Sequence, residues 1–288
     1  MLDHGAVPGE SLNYRHAFHA GNFADLVKHG AITLIVDRLV ALSEPLLVVD
    51  SHAGAGFYDL SGEMAAKSGE ARAGVLKLMA DDAAPEAFRP LKAAVLNANR
   101  DGVIRVYPGS PVLIADRLRR DDEYIGAELR PDDFDILSKA LASSHGYARA
   151  VQNDGFNLVK LRAADARRLF VLIDPPFEQA DDYARILDVL GPVLERPRPA
   201  TVLVWLPLKD LETFDGFLRG LEALEPQSAL AVEARLQPLT DPMKLNGCAL
   251  VILDPPSGLE APLKAIADWV VQAAGGPGGV AKLWKLNS

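Results

Sequence analysis

Two short runs of consecutive apolar residues in this chain each end in an aspartate. The first run is Leu46–Val49, followed by Asp50, and the second is Phe170–Ile173, followed by Asp174. Because neither run alternates with polar residues, both predict strands that are buried on both faces of a sheet. Open α/β sheets place their ligands at the carboxyl ends of such strands. The pattern therefore predicts a ligand site near the two aspartates.

Segments with helical periodicity lie between these two strands and further predicted strands along the chain. The predicted helices begin with one capped by Asn22, whose apolar residues lie on or near one face, and one capped by Ser110. Further helices are predicted at 132–142, 183–194 and 211–224, and further strands at 123–131, 201–206, 229–236, 249–253 and 282–285, with a strand tip at 151–156. This alternation predicts an α/β fold. Residues 60–105 are predicted to form a small helical insertion, and residues 1–13 a flexible leader.

Composition narrows the class of protein. The chain has 288 residues, of which 49% are hydrophobic and 24% are charged, as in soluble globular proteins. Its single cysteine, Cys248, excludes an internal disulfide and favours a reducing compartment, so a cytoplasmic location is expected. No apolar run is long enough to span a bilayer. The net charge of −9 argues against general nucleic-acid binding but allows a local basic surface.

The turn after the first strand contains Gly54 and Gly56, which permit close approach of a ligand to the backbone. The turn lacks both the Gly-x-Gly-x-x-Gly pattern and the Gly-Lys-Ser/Thr of a phosphate-binding loop. Binding of a dinucleotide or a nucleoside triphosphate is therefore disfavoured. A nucleoside ligand without a pyrophosphate, such as S-adenosylmethionine, suits this turn.

The motif after the second strand is Asp174-Pro175-Pro176-Phe177. The prolines restrict the backbone around the aspartate, so its acceptors are held in place, and Phe177 offers a face on which a base can stack. An acceptor beside a stacking surface is what a planar exocyclic amine needs, although a merely stiffened turn has the same sequence. A second Asp-Pro-Pro begins at Asp254, but no aromatic residue follows it. An edge hairpin with a structural role is predicted there.

The amino-terminal stretch 14–29 is rich in aromatic, histidine and cationic residues. A capped helix and an RNA-facing surface explain it equally well. His16 and His19 lack a cysteine or carboxylate cluster that would complete a metal site, so no metal is expected.

Several of these segments together resemble the 23S ribosomal RNA (adenine-N6)-methyltransferase family known as RlmJ. They are Tyr14–Asn22, Asp25, Lys28–His29, His52–Gly56, Tyr107–Pro111, Asp154–Phe156 and Asp174–Phe177. The resemblance implies a Rossmann-like class I S-adenosylmethionine-dependent methyltransferase sheet with a small helical insertion and no metal. It further implies methyl transfer from S-adenosylmethionine to the N6 amine of one adenine, adenine 2030 in the family's target, in 23S ribosomal RNA.

The resemblance also implies roles for particular residues. Asp174 is the implied catalytic residue, and Tyr14, Lys28 and Phe177 are implied substrate contacts. Phe177 stands where the family often has tyrosine, which keeps a stacking face but removes a hydroxyl. The implied cofactor contacts are His29, His52, Ser110, Glu128, Asp154, Gly155 and Asp174.

Three alternatives stay open at this point. A DNA adenine methyltransferase uses the same Asp-Pro-Pro-aromatic chemistry, but no duplex-reading domain is evident. The fold alone does not exclude a small-molecule or protein substrate. The third alternative is a non-catalytic RNA-binding module. In every case a monomer without membrane contact is expected.

Overall fold

The computed structural model describes residues 19–62, 68–142, 144, 147–165, 167–240 and 245–286. The predicted leader 1–13 and Tyr14 lie outside these ranges. The described helices are α1 (Phe23–Val40), α2 (Glu70–Ala73), α3 (Val75–Ala80), α4 (Arg89–Ala98), α5 (Ser110–Ala115), α6 (Pro131–Leu141), α7 (Gly155–Ala163), α8 (Asp182–Leu194), α9 (Leu211–Glu222) and α10 (Glu260–Ala274). The described strands are β1 (Leu46–Asp50), β2 (Phe57–Asp59), β3 (Val106–Pro108), β4 (Glu123–Ala127), β5 (Tyr147–Val151), β6 (Arg168–Ile173), β7 (Ala200–Leu208), β8 (Ala229–Arg235), β9 (Gly247–Leu253) and β10 (Val280–Leu286).

An eight-stranded sheet with the order β10-β8-β9-β7-β6-β1-β4-β5 organises the chain. Neighbours from β5 to β7 pair in parallel, whereas β9 is antiparallel to both β7 and β8, and β10 is antiparallel to β8. Taken in chain order, the five parallel strands follow the 3-2-1-4-5 arrangement of a Rossmann-like sheet. The predicted α/β architecture is therefore confirmed.

The uninterrupted apolar runs are explained by helices on both faces of the sheet. Leu46 and Val48 of β1 belong to one hydrophobic core, and Leu47 and Val49 belong to the other. All four side chains are buried. Because successive side chains of a strand point to opposite faces, a strand covered on both faces needs apolar residues at every position.

Helix α1 is buried more completely than a one-faced pattern predicts. Asn22 caps it as predicted, accepting the backbone N–H of Asp25 at 3.0 Å. The helix packs against α10 and α4 as well as the sheet, so most of its residues are buried. The sequence predicted burial of one face only, whereas several neighbouring elements bury α1 on most of its sides.

The segment between β2 and β3 contains helices α2, α3 and α4; α2 contacts α3, and α4 packs against α1. These three helices fall within the predicted insertion at 60–105, although residues 63–67 lie outside the described ranges. β2 and β3 pair in a separate two-stranded ribbon at the base of this segment.

Several predictions about strand and helix positions are wrong. The strand predicted at 123–131 ends at Ala127, and a helix begins at Pro131. β9 is not part of an edge hairpin, because it lies between β7 and β8 in the interior of the sheet. The strand predicted at 151–156 ends at Val151. The helix predicted to be capped by Ser110 has Gly109 as its N-cap instead, and Ser110 is its first residue. Within the described ranges, no helix combines the length and apolar character needed to cross a bilayer.

Candidate active site

A cleft opens where the strand order of the sheet reverses, between β1 and β6. Loops that leave the carboxyl ends of neighbouring strands diverge at such a point and make room for a ligand. The cleft has a volume of about 360 Å³, which lies in the range of small-molecule sites. Of the residues to which the family resemblance gives a catalytic, cofactor-binding or substrate-binding role, five line the cleft: Lys28, His52, Ser110, Asp174 and Phe177.

Asp50 forms the buried base of the site at the end of β1. Its carboxylate Oδ2 accepts hydrogen bonds from the Ser110 and Tyr124 hydroxyls, each at 3.0 Å. Burial raises the pKa of Asp50 to about 6. Ser110 therefore ties the start of α5 to β1, which is the physical reason why its hydroxyl does not cap the helix.

Asp174 forms an ion pair with Lys28 of α1. Its Oδ2 lies 2.5 Å from Lys28 Nζ, and Asp25 Oδ1 lies 3.1 Å from the same nitrogen. Lys28 is thus held between two carboxylates while it lines the cleft. The ion pair fixes the rotation of the Asp174 carboxylate, whose Oδ1 is a second acceptor on the same group.

His29 lies one layer behind the cleft wall. Its side chain is buried, with Nδ1 2.7 Å from the Tyr107 hydroxyl and Nε2 3.9 Å from Asp25 Oδ1. Burial raises the pKa of Tyr107, so its hydroxyl stays neutral. This position supports the Asp25–Lys28 pair from behind, and a direct contact between His29 and a cofactor stays a prediction.

Phe177 belongs to an aromatic cluster on one wall of the cleft. Its ring centroid is 5.0 Å from that of Tyr183 and 5.8 Å from that of Trp205. Its φ of 53° lies in the left-handed region that residues other than glycine rarely adopt. The turn after Pro176 therefore holds the phenylalanine in a strained conformation that places its ring in the cleft.

The glycine turn after β1 is bound to the end of β4 by a carboxylate. Glu128 accepts the backbone N–H of Gly54 at 3.0 Å and that of Arg130 at 2.8 Å. Burial raises the pKa of the Glu128 carboxyl. Gly54 has a φ of +67°, and a Cβ added to it would lie 2.3 Å from the Tyr58 hydroxyl, so this turn requires glycine.

Asp154 and Gly155 lie at the start of α7 rather than at the tip of β5. Asp154 caps the helix by accepting the Asn157 N–H at 3.0 Å, and it forms an ion pair with Arg185 at 2.7 Å. This pairing helps to lower the pKa of Asp154 against the opposing effect of burial. Contacts of Asp154 and Gly155 with a cofactor stay predictions.

His52 is a neutral member of the cleft wall. Its ring packs edge-on against Phe156, with centroids 5.0 Å apart, and its Nδ1 lies 2.7 Å from the Ser51 hydroxyl. Burial lowers the pKa of His52 to about 4. At neutral pH, His52 therefore offers the cleft a neutral imidazole.

The charge state of His52 gives a pH prediction. Because its folded pKa lies below the ordinary value, the unfolded chain binds the proton first as the pH falls. Its contribution to the free energy of unfolding is therefore present above about pH 6.5 and lost towards pH 4. NMR titration, with the ring assigned through a His52→Gln variant, is expected to show no protonation of His52 above about pH 5.

His19 supplies an internal control for that titration, because its side chain lies in the same cleft and its pKa is raised. The His19 ring is expected to titrate above pH 6.5 in the same spectra. A His52 midpoint near 6.5 would contradict the assigned burial.

The sequence analysis assigned no role in the site to Asp25 or Trp205, although both line the cleft. Asp25 lies three residues before Lys28 on a predicted helix, and this spacing puts both side chains on one face, so the signal was present. Trp205 lies within a predicted strand, where an aromatic residue is expected in any case. Among the described residues, no group of three or more histidine, cysteine or acidic side chains is arranged to hold a metal ion.

Comparison with known proteins identifies the family. The chain is 32% identical over 260 residues to ribosomal RNA large subunit methyltransferase J of Escherichia coli, covering 90% of this chain and 92% of that protein. Its counterpart of the same name in Haemophilus influenzae is 31% identical over 263 residues, covering 91% and 93%.

A crystal structure of a Legionella pneumophila protein shares the fold, with a TM-score of 0.84 and 24% identity over 92% of this chain and 98% of that one. Residues 43–286 match the family described as ribosomal RNA large subunit methyltransferase D, RlmJ. On the strength of this match and of both relatives, the chain belongs to the RlmJ family of ribosomal RNA large subunit methyltransferases.

Proposed function

We propose that this protein transfers a methyl group from S-adenosylmethionine to the N6 amine of an adenine in 23S ribosomal RNA, with Asp174 as the catalytic residue. The observation that carries the proposal is the position of Asp174. Its carboxylate is held by Lys28 inside the cleft between β1 and β6, which Phe177 also lines. Membership of the RlmJ family supports the RNA substrate.

The cleft fits a nucleoside donor. Its floor is built from glycines that sit too close to Tyr58 to carry a side chain, since a Cβ on Gly109 would lie 2.9 Å from that ring. Glu128 stands at the end of β4, where an acidic residue accepts ribose hydroxyls in related sheets. His52 and Ser110 would hold the donor from the β1 and α5 sides. When bound, S-adenosylmethionine supplies an electrophilic methyl group.

The chain's own residues would prepare the amine for that group. The lone pair of an adenine amine is delocalised into the ring, so the nitrogen is a poor nucleophile. A hydrogen bond from the amine to the Asp174 carboxylate favours a more pyramidal nitrogen, and the carboxylate can take the proton that the nitrogen loses. The base must leave its stack or be unpaired already to reach this pocket.

The aromatic wall gives a prediction about stacking. Phe177→Ala is expected to lower kcat/KM for RNA by roughly 10- to 100-fold, because base stacking on an aromatic side chain contributes about 1–3 kcal/mol. Phe177→Tyr keeps the ring and is expected to stay close to the unaltered protein. Both variants retain a residue with a Cβ at the positive φ, so backbone strain is matched. Equal losses would argue against stacking, and methyl incorporation at varied RNA concentration measures them.

The direct test of function is methyl incorporation from labelled S-adenosylmethionine into purified 23S ribosomal RNA, total DNA and protein. Incorporation into an adenine of the ribosomal RNA is expected. Labelling of DNA or protein alone would refute the proposal, and failure to bind S-adenosylmethionine in calorimetry would favour a non-catalytic RNA-binding role. Methylation mapping of ribosomal RNA from a deletion strain then identifies the nucleotide.

We further propose that the protein acts as a monomer in the cytoplasm, with the leader 1–13 and the insertion 60–105 as appendages of one methyltransferase domain. Light scattering after gel filtration tests the oligomeric state, and the mass of a dimer would overturn the proposal of a monomer.

Limited proteolysis tests the leader, since cleavage before residue 14 is expected to leave methyl transfer intact.

A further inference from the structure

Glu70, in the helical segment between β2 and β3, binds His19 and Asn22 of the turn that precedes α1. We call these two contacts the Glu70 clasp. Glu70, the first residue of α2, lies with Oε1 2.8 Å from His19 Nδ1 and accepts the Asn22 side-chain amide on Oε2 at 2.9 Å. Both His19 and Asn22 line the cleft. One carboxylate therefore holds two cleft residues through charge-assisted hydrogen bonds.

A backbone contact makes this clasp rigid. The Val75 N–H donates to the Gly21 carbonyl at 2.8 Å. A Cβ added to Gly74 would lie 2.0 Å from the same carbonyl, and one added to Gly21 would lie 2.6 Å from Val75 Cγ1. The two glycines thus allow the main chains to meet, and this contact holds the backbone that carries Glu70 close to the turn that carries His19.

The hydrogen bond to Glu70 favours the protonated, cationic form of His19, which lines the cleft. Hydrogen bonding to Glu70 raises the pKa of His19, with support from the nearby Asp25 carboxylate and against the effect of burial. The His19 side chain is 41% exposed, so solvent and a ligand can reach it. Lys28, by contrast, is engaged by two carboxylates deeper in the cleft. In a protein with a net charge of −9, a cationic His19 is a local attraction for phosphate.

We propose that Glu70 is a positioning residue that holds His19 at the cleft mouth, where His19 binds a phosphate of the RNA strand that carries the target adenine. The inference rests on the proposed function and deepens it by assigning the helical segment a part in substrate binding. A single-stranded RNA fits this arrangement, because a splayed base enters the cleft while its phosphate stays at the rim. The aromatic wall around Phe177 receives the base, and His19 the backbone.

The experiment is a salt series of kcat/KM on unmodified 23S ribosomal RNA. Each phosphate contact contributes about 0.7 to 1 to the slope of log affinity against log salt concentration. His19→Gln is expected to reduce the slope by roughly that amount and to raise KM for RNA severalfold, with kcat unchanged. For Glu70→Gln, we expect a salt slope and a KM for RNA between those of His19→Gln and those of the unaltered protein. The His19 ring remains in this variant, but it is less well held and less often protonated.

The double variant separates positioning from independent effects. If Glu70 acts through His19, the Glu70→Gln/His19→Gln protein is expected to match His19→Gln alone. Additive losses in the double variant, or an unchanged salt slope in His19→Gln, would overturn the proposal. A merely structural role for Glu70 would lower thermal stability without changing the salt slope.

Glu86→Gln is the matched control, because Glu86 lies in the same segment, is exposed and pairs only locally with Arg89 among the described contacts. It is expected to leave the salt slope and KM unchanged. Methyl transfer by the unaltered protein reports on the proposed function separately. Active unaltered protein with an inert Glu70→Gln substitution would therefore reject this inference alone.

Discussion

Asp174→Asn is expected to lower the rate of methyl transfer by about 10²- to 10⁴-fold, the contribution typical of a positioned acid or base. Asparagine matches aspartate in size, so the turn before the two prolines is preserved. It removes the charge that pairs with Lys28, and Lys28 keeps Asp25 as a partner. Single-turnover methylation of 23S ribosomal RNA measures the effect, and thermal melting verifies that the fold is retained.

The second Asp-Pro-Pro supplies the control. Because β9 runs antiparallel to β7, Asp254 lies at the end of the sheet opposite to Asp174. Its backbone carbonyl there accepts the Thr201 hydroxyl at 2.9 Å. Asp254→Asn is expected to leave methyl transfer unchanged. Near-normal turnover by Asp174→Asn, or an equal loss in both variants, would refute the assignment of the catalytic residue.

Gly155→Ala is expected to cost about 4 kcal/mol or more of the free energy of unfolding. A Cβ on Gly155 would lie 1.6 Å from the carbonyl oxygen of Ser51 and 2.5 Å from its carbonyl carbon. Both are backbone atoms of the turn after β1, so helix α7 and this turn must separate. A decrease of this size in the free energy of unfolding is exceptional for one added methyl group. It is expected here because the methyl group would overlap backbone atoms, which cannot move aside as a side chain can. Chemical denaturation measures the change.

Gly216→Ala is the matched control, because Gly216 lies in the middle of α9 with only the end of the Arg219 side chain within 4 Å of an added Cβ. This substitution is expected to stabilise the protein by about 0.5–1 kcal/mol, since alanine loses less conformational freedom than glycine in a helix. If the two alanines behaved alike, the close approach at Ser51 would not be the cause.

The central parallel strands β1 and β6 could be predicted because a strand buried on both faces has apolar residues at consecutive positions. β1 has the predicted bounds, since each of its positions meets a core on one side or the other. Asp50 and Asp174 likewise end adjacent strands, as the shared pattern predicted. For these two strands, both the burial and the position of the carboxyl end could therefore be predicted from the sequence.

Pairing between distant segments leaves no such record. β9 has the apolar composition of any buried strand, and its place between β7 and β8 depends on partners elsewhere in the chain. Ser110 precedes a proline at a helix start, yet its hydroxyl donates to a carboxylate 60 residues away. The ion pair of Lys28 with Asp174 joins residues 146 apart. In each case a tertiary partner competes successfully with the local one.

The contact between Gly21 and Gly74 has a consequence for engineering. Two stretches of main chain touch there with no side chain between them, so their spacing cannot be adjusted by choosing a larger or smaller residue. A chimera that imports the helices after β2 from a relative would have to import residues 19–22 in the same cassette. Exchanging either part alone would pair main-chain segments that do not match, in the wall of the cleft that also holds the Lys28–Asp174 ion pair.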